Sequence, residues 1–150
     1  MYDKIPYTPG MRDVVIRSKA EAIRLRHNYI GPEHYLLGII SKGDGLAAQT
    51  LINFKINFED LKAEIERSLN VRKRPMGGAY YGPNDQAKRV MSASKEIAIG
   101  LKCNWVGTEF LILALLKVEG TIADRCLRWF GLDYEKTERE VWRILYPPSS

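Results

Sequence analysis

Two glutamates draw attention because the chain writes their surroundings twice. Glu33 lies in "NYIGPEH", residues 28–34, and Glu109 in "NWVGTEF", residues 104–110. In each passage an Asn-x-x-Gly loop opens onto an apolar helical run, which puts the carboxylate in the first helical turn. Two chemistries suit a carboxylate there. It can complement the helix dipole, worth roughly 0.3–1 kcal/mol. It can also hold a cation, such as a partner's guanidinium, through charge-assisted hydrogen bonds. The residues alone leave both open. Gly31 and Gly107 read as loop or cap positions where a side chain would crowd the turn.

Other chemistry finds little support. The dipeptide Gly-Lys does not occur, so there is no phosphate-binding P-loop, and neither GxSxG nor HExxH is present. No catalytic residue is assigned, and the chain reads as a binding protein that carries no cofactor of its own. His27 and His34 correspond to Cys103 and Phe110 in the second passage. A duplicated metal site would keep its ligands in both copies, so the histidines read as helix-end or packing residues and no metal is expected. Cys103 and Cys126 make neither a CxxC pair nor a disulfide framework. Both fall in helical patterns and are expected to be buried and reduced, which fits a cytoplasmic location.

The elements that position these residues come from a duplication. Shifting the chain by 76 positions aligns residues 8–69 with 84–145 without a gap and yields seventeen identities, among them Ser18/Ser94, Asn28/Asn104, Gly31/Gly107, Glu33/Glu109, Leu37/Leu113 and Glu64/Glu140. Each unit reads as four helices. Thr8 is an N-cap candidate with Pro9 at the first helical position, and Met11, Val14, Ser18, Ala22 and Leu25 recur on one face. A second helix follows Gly31, its body at residues 35–40 almost wholly apolar and therefore buried. Leu46, Ala47, Thr50, Leu51 and Phe54 mark a third. Asn57 caps a fourth, with Phe58, Leu61, Ile65 and Leu69 inward. Asn84 and Asp133 are the cap candidates of the second unit.

No alternating β-branched run appears, so no sheet is predicted. The expected fold is all-α: two four-helix units, about eight helices, packed about a pseudo-twofold axis with residues 32–41 and 108–118 as the shared core. The 150 residues form a single domain of repeat 1 (8–69), linker (70–83) and repeat 2 (84–146). The linker carries Gly77, Gly78, Gly82, Pro75 and Pro83 and is expected to be irregular. Its Met76, Tyr80 and Tyr81 either fold back onto the domain or add an exposed apolar contact.

The net charge of +5 raises the question of nucleic acid. Residues 8–69 hold nine basic and eight acidic side chains, residues 84–145 ten and nine, and the stretch 70–83 three basic and none acidic. Three of the five excess charges thus sit in the linker, at Arg72, Lys73 and Arg74, and each half is nearly neutral. A nucleic-acid face needs basic residues gathered on one element, so a basic helical nucleic-acid-associated protein is the weaker alternative. The longest apolar run, residues 110–116, is far short of the roughly 20 residues of a membrane span.

The passage "EAIRLRHNYIGPEHYLLGII" resembles the repeat of the Clp N-terminal domain found in ClpC- and ClpA-type AAA+ unfoldases, and "EIAIGLKCNWVGTEFLILALL" resembles it more loosely. The similarity spans about residues 8–146. It implies a domain that receives protein substrates and adaptor proteins for a Clp ATPase ring and its protease. ATP would then be used by downstream modules if the chain is a fragment. The alternative is a free-standing modulator of a Clp protease. The resemblance to ClpC-type members further implies that phosphoarginine is read by a glutamate on the guanidinium and by a helix start on the phosphate. Carried onto this chain, that pairs Glu33 with Thr8 and Glu109 with Asn84. Four departures from the usual repeat bear on this: Pro32 for threonine, Phe110 for histidine, Asn84 for threonine, and Pro9, which removes one N–H donor.

Overall fold

The computed structural model describes residues 5–71, 79–80 and 82–148. Met76 and Tyr81 and the three linker cations fall outside that range. Tyr80 lies within it: its ring is 39% exposed and carries the Lys19 ammonium 4.8 Å from its centroid.

Eight helices make up the described residues: α1 (Pro9–Arg24), α2 (Pro32–Lys42), α3 (Leu46–Asn53), α4 (Phe58–Val71), α5 (Asp85–Gly100), α6 (Thr108–Lys117), α7 (Ile122–Trp129) and α8 (Tyr134–Leu145). The only extended pairings among them are two isolated bridges. Helix starts follow local chemistry. Thr8 Oγ1 accepts from Met11 N–H at 3.0 Å with Pro9 behind it, and Asn84 Oδ1 accepts from Ala87 N–H at 2.8 Å. Asn57 and Asp133 cap α4 and α8 in the same way, through the N–H groups of Asp60 and Lys136. Each such cap satisfies a donor the helix leaves over, and its loss costs about 1 kcal/mol. Gly43, at φ 75°, takes the left-handed turn that ends α2.

The two central helices are apolar on nearly every face. All residues from Thr108 to Leu116 of α6 are buried, as are those from Pro32 to Ile39 of α2. Each fully buried Leu or Ile contributes about 1.5–3 kcal/mol from apolar area. Outer helices shield them: α1 packs on α2, and α5 on α6. The α1–α2 crossing is close because position 38 is glycine. A Cβ there would come within 2.5 Å of Ser18 Oγ and 2.7 Å of the Val14 carbonyl oxygen. The corresponding residue of α6 is Ala114.

The third helices cross over between units. Helix α3 packs against α6 and α8 of the second unit, and α7 packs against α2 and α4 of the first. The chain segments entering α1 and α5 exchange likewise. Tyr7 bridges Val106, and Pro83 bridges Ile30. Thr8 N–H donates to the Val106 carbonyl at 3.0 Å, and Asn84 N–H to the Ile30 carbonyl at 2.8 Å. A shift of 76 residues converts each of these pairings into the other, which is the signature of the pseudo-twofold arrangement. Neither unit covers its own apolar helices without its partner.

Cys126 is buried at 3% exposure, as expected, whereas Cys103 is only half-buried. The reason is local. Helix α5 ends at Gly100, Lys102 turns left-handed at φ 59°, and Cys103 falls in the surface loop beyond rather than in a helix.

Candidate functional site

Glu33 occupies the first turn of α2 and is 5% exposed. Its carboxylate folds back over the backbone of Gly31: a Cβ added there would lie 2.7–2.8 Å from the Glu33 carboxylate atoms. A side chain at 31 would therefore displace the carboxylate from this pose, whereas the backbone there, at φ −112°, is ordinary extended and does not itself demand glycine. The Tyr29 hydroxyl stands 3.5 Å from Glu33 Oε2. Behind it, His34 locks the loop. Gly31 N–H donates to His34 Nδ1 at 2.8 Å, which leaves the proton on Nε2, and that atom lies 2.8 Å from His27 Nδ1. His34 is fully buried, and burial, with the neighbouring His27 adding to it, pushes its pKa down to about 3. It is a neutral capping and packing residue.

A cavity of about 160 Å³ opens beside Glu33, lined by Tyr29, Glu33, Asn84, Gln86, Thr121 and Arg125 among others. The site is therefore composite. Glu33 comes from the first unit, and Asn84, Gln86, Thr121 and Arg125 come from the second. This corrects the pairing of Glu33 with Thr8. The cause is the exchange of entering segments: Asn84 bonds to Ile30, three residues before Glu33, whereas Thr8 bonds to Val106, three residues before Glu109. Thr8 therefore belongs with the Glu109 loop and Asn84 with the Glu33 loop.

The cavity has one residue the sequence reading passed over. Arg125 stands on α7 at the position corresponding to Gln49, so the residues that the two units share do not point to it. A carboxylate and a guanidinium on the walls of one space of this size suit a group that is itself both cationic and anionic. Ligand pockets that take a whole small molecule run to roughly 300–1,000 Å³. This one is the size of a side-chain head. Asn84 uses Oδ1 to cap α5, and its amide N–H groups remain as donors. Asp85 follows in the first turn of α5 and reduces the pull of that helix start on anions.

Glu109 sits in a different setting. It is 8% exposed, and its Oε1 is buried without a hydrogen-bond donor among the described residues. That oxygen lies 2.2 Å from where a Cβ on Gly107 would be. Its neighbours are Leu46, Thr50, Val141, Ile144 and Leu145, and burial pushes the carboxyl above the usual carboxylate range. The two glutamates thus share a fold position but not an environment.

The departure at Pro32 has a structural counterpart. Thr108, at the corresponding position, accepts from Ala47 N–H at 3.0 Å and so caps α3, whose own N-cap residue is Gly45. In the other half α7 has its own cap, Thr121, which accepts from Asp124 N–H at 3.0 Å. Pro32 therefore removes no acceptor that the start of α7 requires.

Comparison with known proteins agrees with this architecture. A family model for the Clp repeat (R) N-terminal domain matches residues 6–129 and 82–147. The chain is 34% identical over 139 residues to the chaperone protein ClpB of Oceanobacillus iheyensis, covering 93% of this chain and 17% of that protein. It is 34% identical over 141 residues to the Clp protease ATP-binding subunit ClpC of Staphylococcus epidermidis, covering 94% and 17%. The chain thus spans about a sixth of the length of these relatives. Among solved structures, the Hsp104 N-terminal domain from Candida albicans superimposes with a TM-score of 0.75 at 15% identity, covering 95% of this chain and 93% of that one. The N-terminal domain of ClpD from Arabidopsis thaliana gives 0.72 at 19% identity, covering 93% and 94%. At such identities the structural likeness speaks for the fold.

Proposed function

Since the chain belongs to the Clp repeat N-terminal domain family, we propose that it is a docking module that captures protein substrates and adaptor proteins for a Clp-type ATP-dependent unfoldase. It does no chemistry of its own in this reading. It holds a polypeptide at its surface so that the ring to which it belongs, or with which it associates, can engage and unfold it. No helix among the described residues is long and apolar enough to cross a membrane.

The single observation that carries a finer reading is the joint presence of Glu33 and Arg125 on the walls of one 160 Å³ cavity. Its ligand is an arginine side chain, phosphorylated on the guanidinium. The carboxylate takes the guanidinium, and Arg125 with the Asn84 amide takes the phosphate. The Glu109 loop is the weaker site. Its carboxylate is held in an apolar setting that favours the protonated form, and position 49 offers Gln in place of a cation.

An NMR titration of the labelled domain with free phosphoarginine and with arginine tests this. Phosphoarginine is expected to shift the resonances of Glu33, Asn84 and Arg125 at lower concentration than those around Glu109, and arginine is expected to bind more weakly. Equal binding of the two ligands would remove the role given to Arg125. Absence of shifts at Glu33 would remove the site.

A further inference from the structure

The two halves differ where the third helix of one unit meets the fourth helix of the other. Between α3 and α8, Asn53 Nδ2 donates to Glu140 Oε2 at 2.7 Å, and Arg143 reaches Glu140 Oε1 at 2.9 Å. That seam is stitched shut and Glu140 is buried. Between α7 and α4 the residue corresponding to Asn53 is Trp129. An indole cannot make the same short bond to Glu64, the counterpart of Glu140. Glu64 is held by Arg67 of its own helix, and Trp129 stands 77% exposed. A groove of about 390 Å³ is left between the helices, lined by Arg67, Ile122, Arg125, Cys126 and Trp129 among others.

Arg125 and Ile122 line both this groove and the Glu33 cavity, so the two spaces share a wall. The charges in the groove are uneven. Glu64 neutralises Arg67, and Arg128 on the outer side of α7 is held by Asp124 at 2.8 Å. Arg125 has no acidic partner among the described residues. A groove with one uncompensated guanidinium and one bare indole favours an anion beside an apolar side chain, and it repels a basic segment. Tryptophan and arginine are also the side chains that most often carry the binding energy of an interface.

We propose that the α4–α7 groove is a second subsite of the docking face, which takes an acidic residue and its large apolar neighbour from a captured polypeptide, with the apolar side chain against Trp129 and the carboxylate on those of the five Arg125 donors that the phosphate in the adjoining cavity leaves over. The proposal rests on the docking reading above and adds a preference for the residues next to the anchor. It also makes the docking face one-sided, because the matching seam between α3 and α8 is closed by Asn53.

Two fluorescein-labelled peptides test it by anisotropy. Both carry one phosphoarginine. One has Asp-Phe within a few residues of it, and the other has Ser-Ser there. The wild-type domain is expected to bind the Asp-Phe peptide about tenfold more tightly. Trp129→Asn, which installs the residue found at the matching position of α3, is expected to reduce that preference to the roughly twofold that the retained Arg125 contact supplies and to leave the Ser-Ser affinity unchanged. Glu33→Gln is expected to weaken both peptides by the same factor. Equal affinities in the wild type would overturn the subsite alone. Failure of both peptides to bind would overturn the phosphoarginine reading of the Glu33 cavity, and the subsite with it. A concentration-dependent dimer abolished by Trp129→Asn would assign the groove to a second copy of the chain and overturn the proposal as well.

Discussion

Glu33→Gln is expected to weaken phosphoarginine binding by roughly a hundredfold, equivalent to about 2.7 kcal/mol. The substitution keeps the shape and the acceptor of the side chain but removes its charge from a site that is 5% exposed. Loss of one partner of a desolvated charge pair costs about 2–5 kcal/mol, since the guanidinium would then be left without its counterion. The effect on folding should be small. Glutamine can still accept from Tyr29, and the lost interaction with the α2 dipole is worth only about 0.3–1 kcal/mol. Calorimetry and thermal unfolding together separate the two roles that the residues alone left open. Near-normal stability with lost binding supports the ligand role, and lost stability with normal binding supports the dipole role. Glu109→Gln is expected to behave differently. Its loop has Gln49 where the Glu33 cavity has Arg125, so no cation stands at the matching position for the phosphate and an uncharged amide at 109 should change binding by only a fewfold.

Acidification is expected to unfold the domain through His34. Burial, reinforced by His27, holds its folded-state pKa at about 3, against an ordinary value of 6.5. A depressed folded pKa means that the unfolded chain takes up a proton below 6.5 while the folded one does not until about 3. The contribution of His34 is therefore fully present above 6.5 and falls as pH is lowered, at up to about 1.4 kcal/mol per pH unit. By pH 4 the loss is roughly 3 kcal/mol, a large share of the stability of a small domain. Glu109 works in the opposite direction. Its raised carboxyl contributes stability below the ordinary carboxylate value that is lost as pH rises through its folded pKa, so it offsets His34 only at the acid end. Urea midpoints between pH 7 and pH 4 are the measurement. His34→Phe, the residue that the second unit has at position 110, is expected to flatten the slope by about one proton, at the cost of the acceptor for Gly31 N–H. An unchanged slope in that variant would mean that another group carries the acid sensitivity.

The helices were legible because their signals are local. Thr8, Asn57, Asn84 and Asp133 each cap the helix that follows, and the apolar runs after Gly31 and Gly107 are the buried central pair. The glutamates were legible as candidates because the duplication kept them in the same turn. Their surroundings were not. Two units with the same pattern give no local sign of whether a helix start meets the loop of its own unit or of the other. The exchange through Tyr7–Val106 and Ile30–Pro83 is a property of how the units interlock. Arg125 went unnoticed for a related reason. Attention to what the repeats share passes over residues that matter because they differ, and the substitutions Gln49/Arg125 and Asn53/Trp129 were the signal available. Cys103 was misplaced because its apolar neighbours suggested a helix that ends at Gly100.

The proposed docking site is shared between the units, with Glu33 acting together with Asn84. A double-mutant cycle on phosphoarginine binding tests it most directly, using Glu33→Gln with Asn84→Ala and, in parallel, Glu33→Gln with Thr8→Ala. Residues around one ligand couple by about 0.5–3 kcal/mol, whereas separate sites add. The composite site predicts coupling for Glu33 with Asn84 and additivity for Glu33 with Thr8. Coupling with Thr8 and additivity with Asn84 would contradict it.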